Sequence, residues 1–194
     1  MAADIIERKA AMRREIRARL QLVTPDKRIV ASRGICARLR GSEVWRSAKT
    51  ILFFAPMLDE PDLWSLLEEA LSGEKTVALP RHVADRQSYA AAQVCDVSSD
   101  LCAGKFGIRE PKESCREIVL SGADLVLVPG VAFDLHGRRL GRGRGFYDRL
   151  LADASGIKCG VSFDEQIVSE VPVVPTDAQV DFVVTPTRWI ETGN

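Results

Sequence analysis

The sequence predicts an α/β fold: a three-layer α/β/α sandwich with an open, largely parallel sheet, preceded by an N-terminal helical pair. Three observations carry this expectation. The N-terminal region has helical periodicity, and the remainder alternates short apolar runs with helical stretches. Two of those runs, Ile51-Leu52-Phe53-Phe54 and Leu125-Val126-Leu127-Val128, are apolar on both faces, as central strands covered by helices must be.

In chain order, residues 3–22 place Ile5, Met12, Ile16 and Leu20 on one side of a helix at roughly 100° per residue. Thr24 then caps a second helix with Pro25 at its first position, and Gly41 is its stop. A strand over 51–55, a helix over 61–71 ending at Gly73 and a strand over 76–79 follow. Further strand candidates cover 89–94, 124–128, 158–163 and 181–185. No repeat or low-complexity tract interrupts the pattern, so residues 1–194 are expected to form a single domain. The short Gly/Pro clusters read as loops at strand ends, where open α/β sheets bind ligands.

Composition narrows the function classes. The 27 basic and 27 acidic residues cancel, and the pI of about 6.7 offers no global field for a polyanion or an anionic membrane. Attraction for phosphate must therefore be local. Cys36, Cys95, Cys102, Cys115 and Cys159 are an odd set without a C-x-x-C pair, which fits neither a disulfide framework nor a tetrahedral zinc site. They are expected to be packing or surface thiols. With no bilayer-length apolar run and a charged N-terminus, the expectation is a cytoplasmic protein, monomeric, with no membrane or nucleic-acid partner.

The most informative stretch is 129–150, PGVAFDLHGRRLGRGRGFYDRL. It leaves an apolar strand, passes Gly141, Gly143 and Gly145, and enters a helical pattern at Phe146. Glycines allow close backbone approach to a phosphate, and Arg139, Arg142 and Arg144 bring charge to the same loop. The plainer reading is a surface loop rich in arginine. It is not a Walker A loop, because the Lys-Ser/Thr pair is missing, and it lacks the dinucleotide spacing. In the first helix, Lys9 and Arg13 project into or beside the apolar stripe, which means either snorkelling to its edge or an anionic ligand there. Arg8, Arg14, Arg17 and Arg19 read as a solvated face with Glu7 and Glu15. Asp148 opens the helix after the glycine loop and Asp177 lies in a Pro-rich turn. Both are ordinary places for aspartate, and both gain meaning as magnesium ligands only beside a bound polyphosphate. Glu60 is either a cap for the helix that follows or an acceptor for an amino-pyrimidine edge. His82 and His136 read as non-metal residues.

Taken in order, several motifs resemble the 5-formyltetrahydrofolate cyclo-ligases, also called methenyltetrahydrofolate synthetases. They are Lys9-x-x-x-Arg13, Phe106-Gly107-Ile108-Arg109-Glu110-Pro111, Val128-Pro129-Gly130-Val131-Ala132-Phe133-Asp134, the run from Arg139-Leu140-Gly141 to Tyr147-Asp148-Arg149, and Asp177-x-x-x-Asp181. Each is weak alone; the ordered set spans nearly the whole chain and is specific. The resemblance implies that Lys9, Arg13, Arg139, Gly141, Arg142, Gly143, Arg144, Gly145, Phe146 and Tyr147 bind ATP. It implies that Asp148 and Asp177 hold Mg²⁺, that Arg13, Glu60, Arg144 and Phe146 face the folate, and that Arg144 is catalytic. The implied chemistry is phosphoryl transfer from ATP to the formyl oxygen on N5, attack of N10 on the resulting imino-phosphate, and loss of phosphate. Three positions depart from the family pattern. Phe146 stands where many members have tyrosine, Arg144 where they have lysine or glycine, and Thr176 where many have histidine. Phe146 keeps a ring without a hydroxyl, and Arg144 keeps the charge with a different donor geometry. Two readings from other classes compete: an RNA-binding module using the basic helix and Arg-Gly loop, disfavoured by neutral net charge and 6% aromatic residues, and a sugar-phosphate isomerase-like α/β enzyme.

Overall fold

A computed structural model describes residues 2–85, 88–104 and 107–193; Phe106 lies outside the described residues. The helical pair is α1 (Ala2–Gln21) and α2 (Pro25–Gly41), and a short α3 (Glu43–Ser47) leads into β1 (Thr50–Leu52). After α4 (Trp64–Ser72), β2 (Thr76–Val83) pairs antiparallel with β3 (Ser88–Val94). A ribbon of β4 (Leu101–Ala103) and β5 (Arg109–Pro111) precedes β6 (Glu117–Ile118) and β7 (Leu125–Pro129). A second ribbon, β8 (Ala132–Phe133) with β9 (Arg139–Leu140), leads to α5 (Phe146–Ala152), β10 (Ile157–Val161), β11 (Phe182–Val184) and β12 (Trp189–Glu191).

The main sheet has eight strands in the order β12-β11-β10-β7-β1-β2-β3-β6. Strands β11, β10, β7, β1 and β2 run parallel, and antiparallel partners close both sides. The runs apolar on both faces occupy the middle, as their composition requires: Ile51, Leu52, Val126 and Leu127 are fully buried. Alternation splits them between two cores. Ile51, Phe53, Leu125 and Leu127 face Ile16, Leu20, Ile35, Leu39, Leu66 and Leu67 of α1, α2 and α4. Leu52, Val126 and Val128 face Leu150 and Leu151 of α5. The sandwich is therefore three-layered but uneven: among the described residues, four α-helices lie on one side and one on the other.

Element boundaries follow local chemistry. Thr24 accepts the Lys27 N–H as cap of α2, as its sequence predicts. The helix expected from residue 61 begins at Trp64, because Asp62 spends its carboxylate on the Trp64 N–H while its own N–H goes to Ser32 Oγ. Strand β1 is shorter than expected: Phe53 N still donates to Ala78 O, after which the chain leaves the sheet.

The connections create the site. From β1 the chain crosses through α4 to β2 on one side; from β7 it crosses through α5 to β10 on the opposite face. The carboxyl ends of β1 and β7 therefore diverge, and this is the crevice in which open α/β sheets place their ligands.

Two outcomes follow from this packing. Leu127→Ala removes a fully buried side chain from the central strand and should lower unfolding free energy by about 2–5 kcal/mol, read as a lower denaturant midpoint at unchanged m-value. Burial pushes the Cys159 thiol up to about 12 and raises Cys36, while Cys95 and Cys102 are exposed. A native thiol titration should thus label Cys95 and Cys102 quickly, and Cys36 and Cys159 only on unfolding.

Candidate functional site

A cavity of about 430 Å³ opens at the β1/β7 crevice, a volume suited to one small ligand. Its walls come from Phe54, Ala55, Met57 and Glu60 after β1, Pro80 and Tyr89 from β2 and β3, Pro129 and Gly130 at the end of β7, and the glycine loop. The loop is shaped by its glycines. Gly143 has φ +101° and Gly145 φ +63°, both in the region side chains avoid, and Gly145 forms the N-cap of α5. That helix has seven residues and no side-chain cap, so the charge of the site comes from its arginines more than from a helix dipole.

The structure sorts the sequence-derived residues into two groups. Glu60, Arg139, Gly141, Arg142, Arg144, Gly145, Phe146, Tyr147 and Asp148 line the cavity. Lys9, Arg13, Gly143 and Asp177 stand outside its lining, at the α1 side. The groups touch: Arg13 Nε donates to the Gly141 carbonyl at 2.8 Å, its guanidinium lies against Gly143, and the Ala178 N–H reaches Asp148 Oδ1 at 3.3 Å. Arg17, read from sequence as part of a solvated face, also reaches the cavity lining, whereas Arg19 pairs with Glu15 as expected.

Each acidic residue of the set meets a cation. Lys9 Nζ lies 2.5 Å from Asp177 Oδ2, and this pair is the partner that lets Lys9 sit on the buried side of α1. Arg139 is 3% exposed, donating to Asp148 Oδ1 at 2.5 Å and to the Pro129 carbonyl at 3.2 Å, with Tyr147 stacked 5.9 Å away. Sequence spacing groups Arg139 with the loop cations; the structure sets it beneath them, as a brace. Arg142 bridges Asp59 and Glu60 at 2.6 and 2.9 Å.

Glu60 does not cap α4. Its Oε2 accepts the Met57 N–H, closing the turn after β1, and the 7%-exposed carboxylate faces the cavity. Burial pushes its carboxyl above the usual range; Arg142 and the Met57 N–H pull the other way, and Asp59 adds to the rise. The Arg13 guanidinium is lowered, first by burial and then by Arg17, with Asp177 opposing, as befits crowded cations.

Phe146 packs edge-on against Tyr89 at 5.2 Å and His82 at 6.0 Å. Tyr89, His82 and Glu110 were not marked as site residues by the sequence. Tyr89 and His82 sit on strands with no motif of their own, and Glu110 was legible only as part of the Gly107-Ile108-Arg109-Glu110-Pro111 match.

Comparison with known proteins gives the chain's family. The chain is 31% identical to the 5-formyltetrahydrofolate cyclo-ligase of Escherichia coli over 89% of this chain and 97% of that one. It is 35% identical to the Mycolicibacterium smegmatis protein of the same name over 74% and 77%. The solution structure of 5,10-methenyltetrahydrofolate synthetase from Aquifex aeolicus superposes with a TM-score of 0.86 at 31% identity, covering 96% and 93% of the two chains. The 5-formyltetrahydrofolate cyclo-ligase family model matches residues 5–186, and the chain belongs to that family.

Proposed function

We propose that this chain catalyses the ATP- and Mg²⁺-dependent cyclisation of 5-formyltetrahydrofolate to 5,10-methenyltetrahydrofolate, releasing ADP and phosphate. The observation that carries the proposal is convergence. Arg17 of α1, the loop after β1 and the glycine loop line one cavity, and the Lys9–Asp177 pair and Arg13, far away in sequence, adjoin it through the glycine loop.

In this reading the cavity takes the pterin. Glu60 presents a carboxylate to the amino-pyrimidine edge, and Phe146, with Tyr89, offers ring surface to the flat heterocycle. Lys9, Arg13, Arg142 and the loop from Gly141 to Gly145 take the polyphosphate, with Arg139 and Tyr147 supporting the loop from below. Arg144, an exposed arginine on the cavity lining, is placed to neutralise charge on the phosphoryl group as it passes to the formyl oxygen. No side-chain nucleophile is required, since positioning and charge neutralisation suffice for the transfer.

The acid pair suits Mg²⁺. Among the described residues no three potential ligands converge, so the protein offers no closed cage. Magnesium commonly uses one or two carboxylates and completes its octahedron with phosphate oxygens and water. Asp148 and Asp177 each make their described hydrogen bonds through one oxygen, leaving the other for a ligand. Bound there, the ion would supply charge neutralisation on the polyphosphate. The arginines of the loop are held in ion pairs or line the cavity, which supports a small-molecule site over an open RNA surface.

The direct test is absorbance at the methenyl-folate band after mixing protein with 5-formyltetrahydrofolate. Growth only with Mg-ATP is expected; no band in protein that binds ATP would mean a different acceptor. Arg144→Ala should lower kcat by about 10²–10³ with melting temperature nearly unchanged, and parallel loss of both would count against its role. Glu60 also predicts a pH dependence. Its pKa is raised, so it takes up a proton at a higher pH than an ordinary glutamate, and the protonated form loses an acceptor. KM for the folate should therefore rise as pH falls through that value, while KM for ATP stays level; Glu60→Gln should show a high folate KM with no such acid limb.

A further inference from the structure

Besides Glu60 and Asp148, the cavity lining holds a third carboxylate, which has no part in the reading above. Glu110, on β5, lines it beside Tyr89 and Ile108 and is 6% exposed. Its Oε2 accepts the His82 backbone N–H at 2.9 Å, while Oε1 is buried with no hydrogen-bond partner. Among the described residues no cation forms an ion pair with it, in contrast to Glu60, Asp148 and Asp177. An ionised carboxylate can accept several hydrogen bonds, and a buried oxygen left without one is costly to keep.

The position is built around this side chain. A Cβ at Gly104 would lie 2.4 Å from the Glu110 carboxyl carbon, so a residue with a side chain there would displace it. Pairing of β4 with β5, and Cys102 Sγ donating to the Glu110 carbonyl, fix the backbone. Capping the His82 N–H needs one neutral oxygen and explains only half of the carboxylate. The other half has the chemistry of an acceptor awaiting an N–H donor.

We infer that Glu110 Oε1 accepts an N–H of the bound reduced folate other than those of the amino-pyrimidine edge, making it a second substrate-orienting residue. The inference rests on the cyclo-ligase proposal and deepens it. Within the pterin and its bridge, short of the glutamyl amide on the tail, two donors meet the description: N8–H of the reduced ring and N10–H of the bridge. Glu110, Tyr89 and Arg144 line the same cavity, and both charges reach the Tyr89 phenol, which burial raises first, Glu110 raises further and Arg144 opposes. With Glu60 holding one end of the pterin and Glu110 an N–H nearer the reacting atoms, the ring could neither flip nor slide.

The test is a cycle between protein and ligand. Glu110→Gln keeps an oxygen for His82 but replaces the free acceptor with a donor. It should weaken 5-formyltetrahydrofolate binding by roughly tenfold or more by calorimetry, with Mg-ATP affinity and melting temperature at wild-type values. On the wild-type protein, an analogue with CH₂ in place of N8–H or of N10–H should lose a similar factor, and the analogue that does so should lose nothing further in Glu110→Gln. Which analogue responds identifies the donor. Unchanged folate affinity in Glu110→Gln, joint loss of ATP affinity and stability, or full wild-type affinity for both analogues would overturn the inference while leaving the cyclo-ligase proposal intact; a wild-type protein that binds no folate would overturn both.

Discussion

One buried guanidinium organises the site. Arg139 donates to the last carbonyl of the central strand β7 and to Asp148 on the first turn of α5, and Gly130 and Gly141 leave it room. Strand end, glycine loop and helix are thereby tied at one point, and the walls of the cavity hang from it. Removing Asp148 would leave the buried guanidinium without its counter-charge, a loss of up to about 3–5 kcal/mol by comparison with other buried pairs. The brace is thus as much a part of the fold as of the site, and explains why a loop with two left-handed glycines can hold a defined shape.

A second regularity is that, Glu110 apart, the acids of the site are held by cations. Lys9 is held by Asp177, Arg139 by Asp148, and Arg142 by Asp59 and Glu60. In the functional proposal, Lys9 and Arg142 face phosphate while Asp177 and Glu60 face metal and pterin, and Arg139 stays with Asp148 as the brace. Binding would then be an exchange of partners, with each separated charge receiving one of opposite sign from the ligands. Such an exchange avoids leaving charges uncompensated in a partly buried cavity, and it accords with a chain whose net charge is zero.

How much was legible beforehand depended on how local each signal was. The doubly apolar runs of β1 and β7, the Thr24-Pro25 start of α2 and the glycine loop before α5 are written in consecutive residues, and each lies where expected, although β1 ends at Leu52 rather than Ala55. Lys9 and Arg13 could be picked out because helical periodicity exposes a misplaced charge, although the partner of Lys9 lies 168 residues away and no spacing could name it. Glu60 was open between cap and ligand because the sequence does not show where the helix begins, and Asp62 settles that. Strands β4, β5, β6, β8, β9 and β12 have two or three residues apiece, too few for alternation to register, and exist only through tertiary pairing. Glu110 rides on one of them, which is why its buried oxygen was invisible in the sequence.

The short outer strands have a consequence of their own. A sheet with open edges is a template on which another chain can extend its backbone, and long flat edges are where proteins stick to one another. Here the outermost strands are Glu117–Ile118 and Trp189–Glu191, each carrying an acidic residue. Neither offers enough unpaired backbone to seed a growing ribbon, so the edges of a largely apolar sheet are blunted against pairing with another copy.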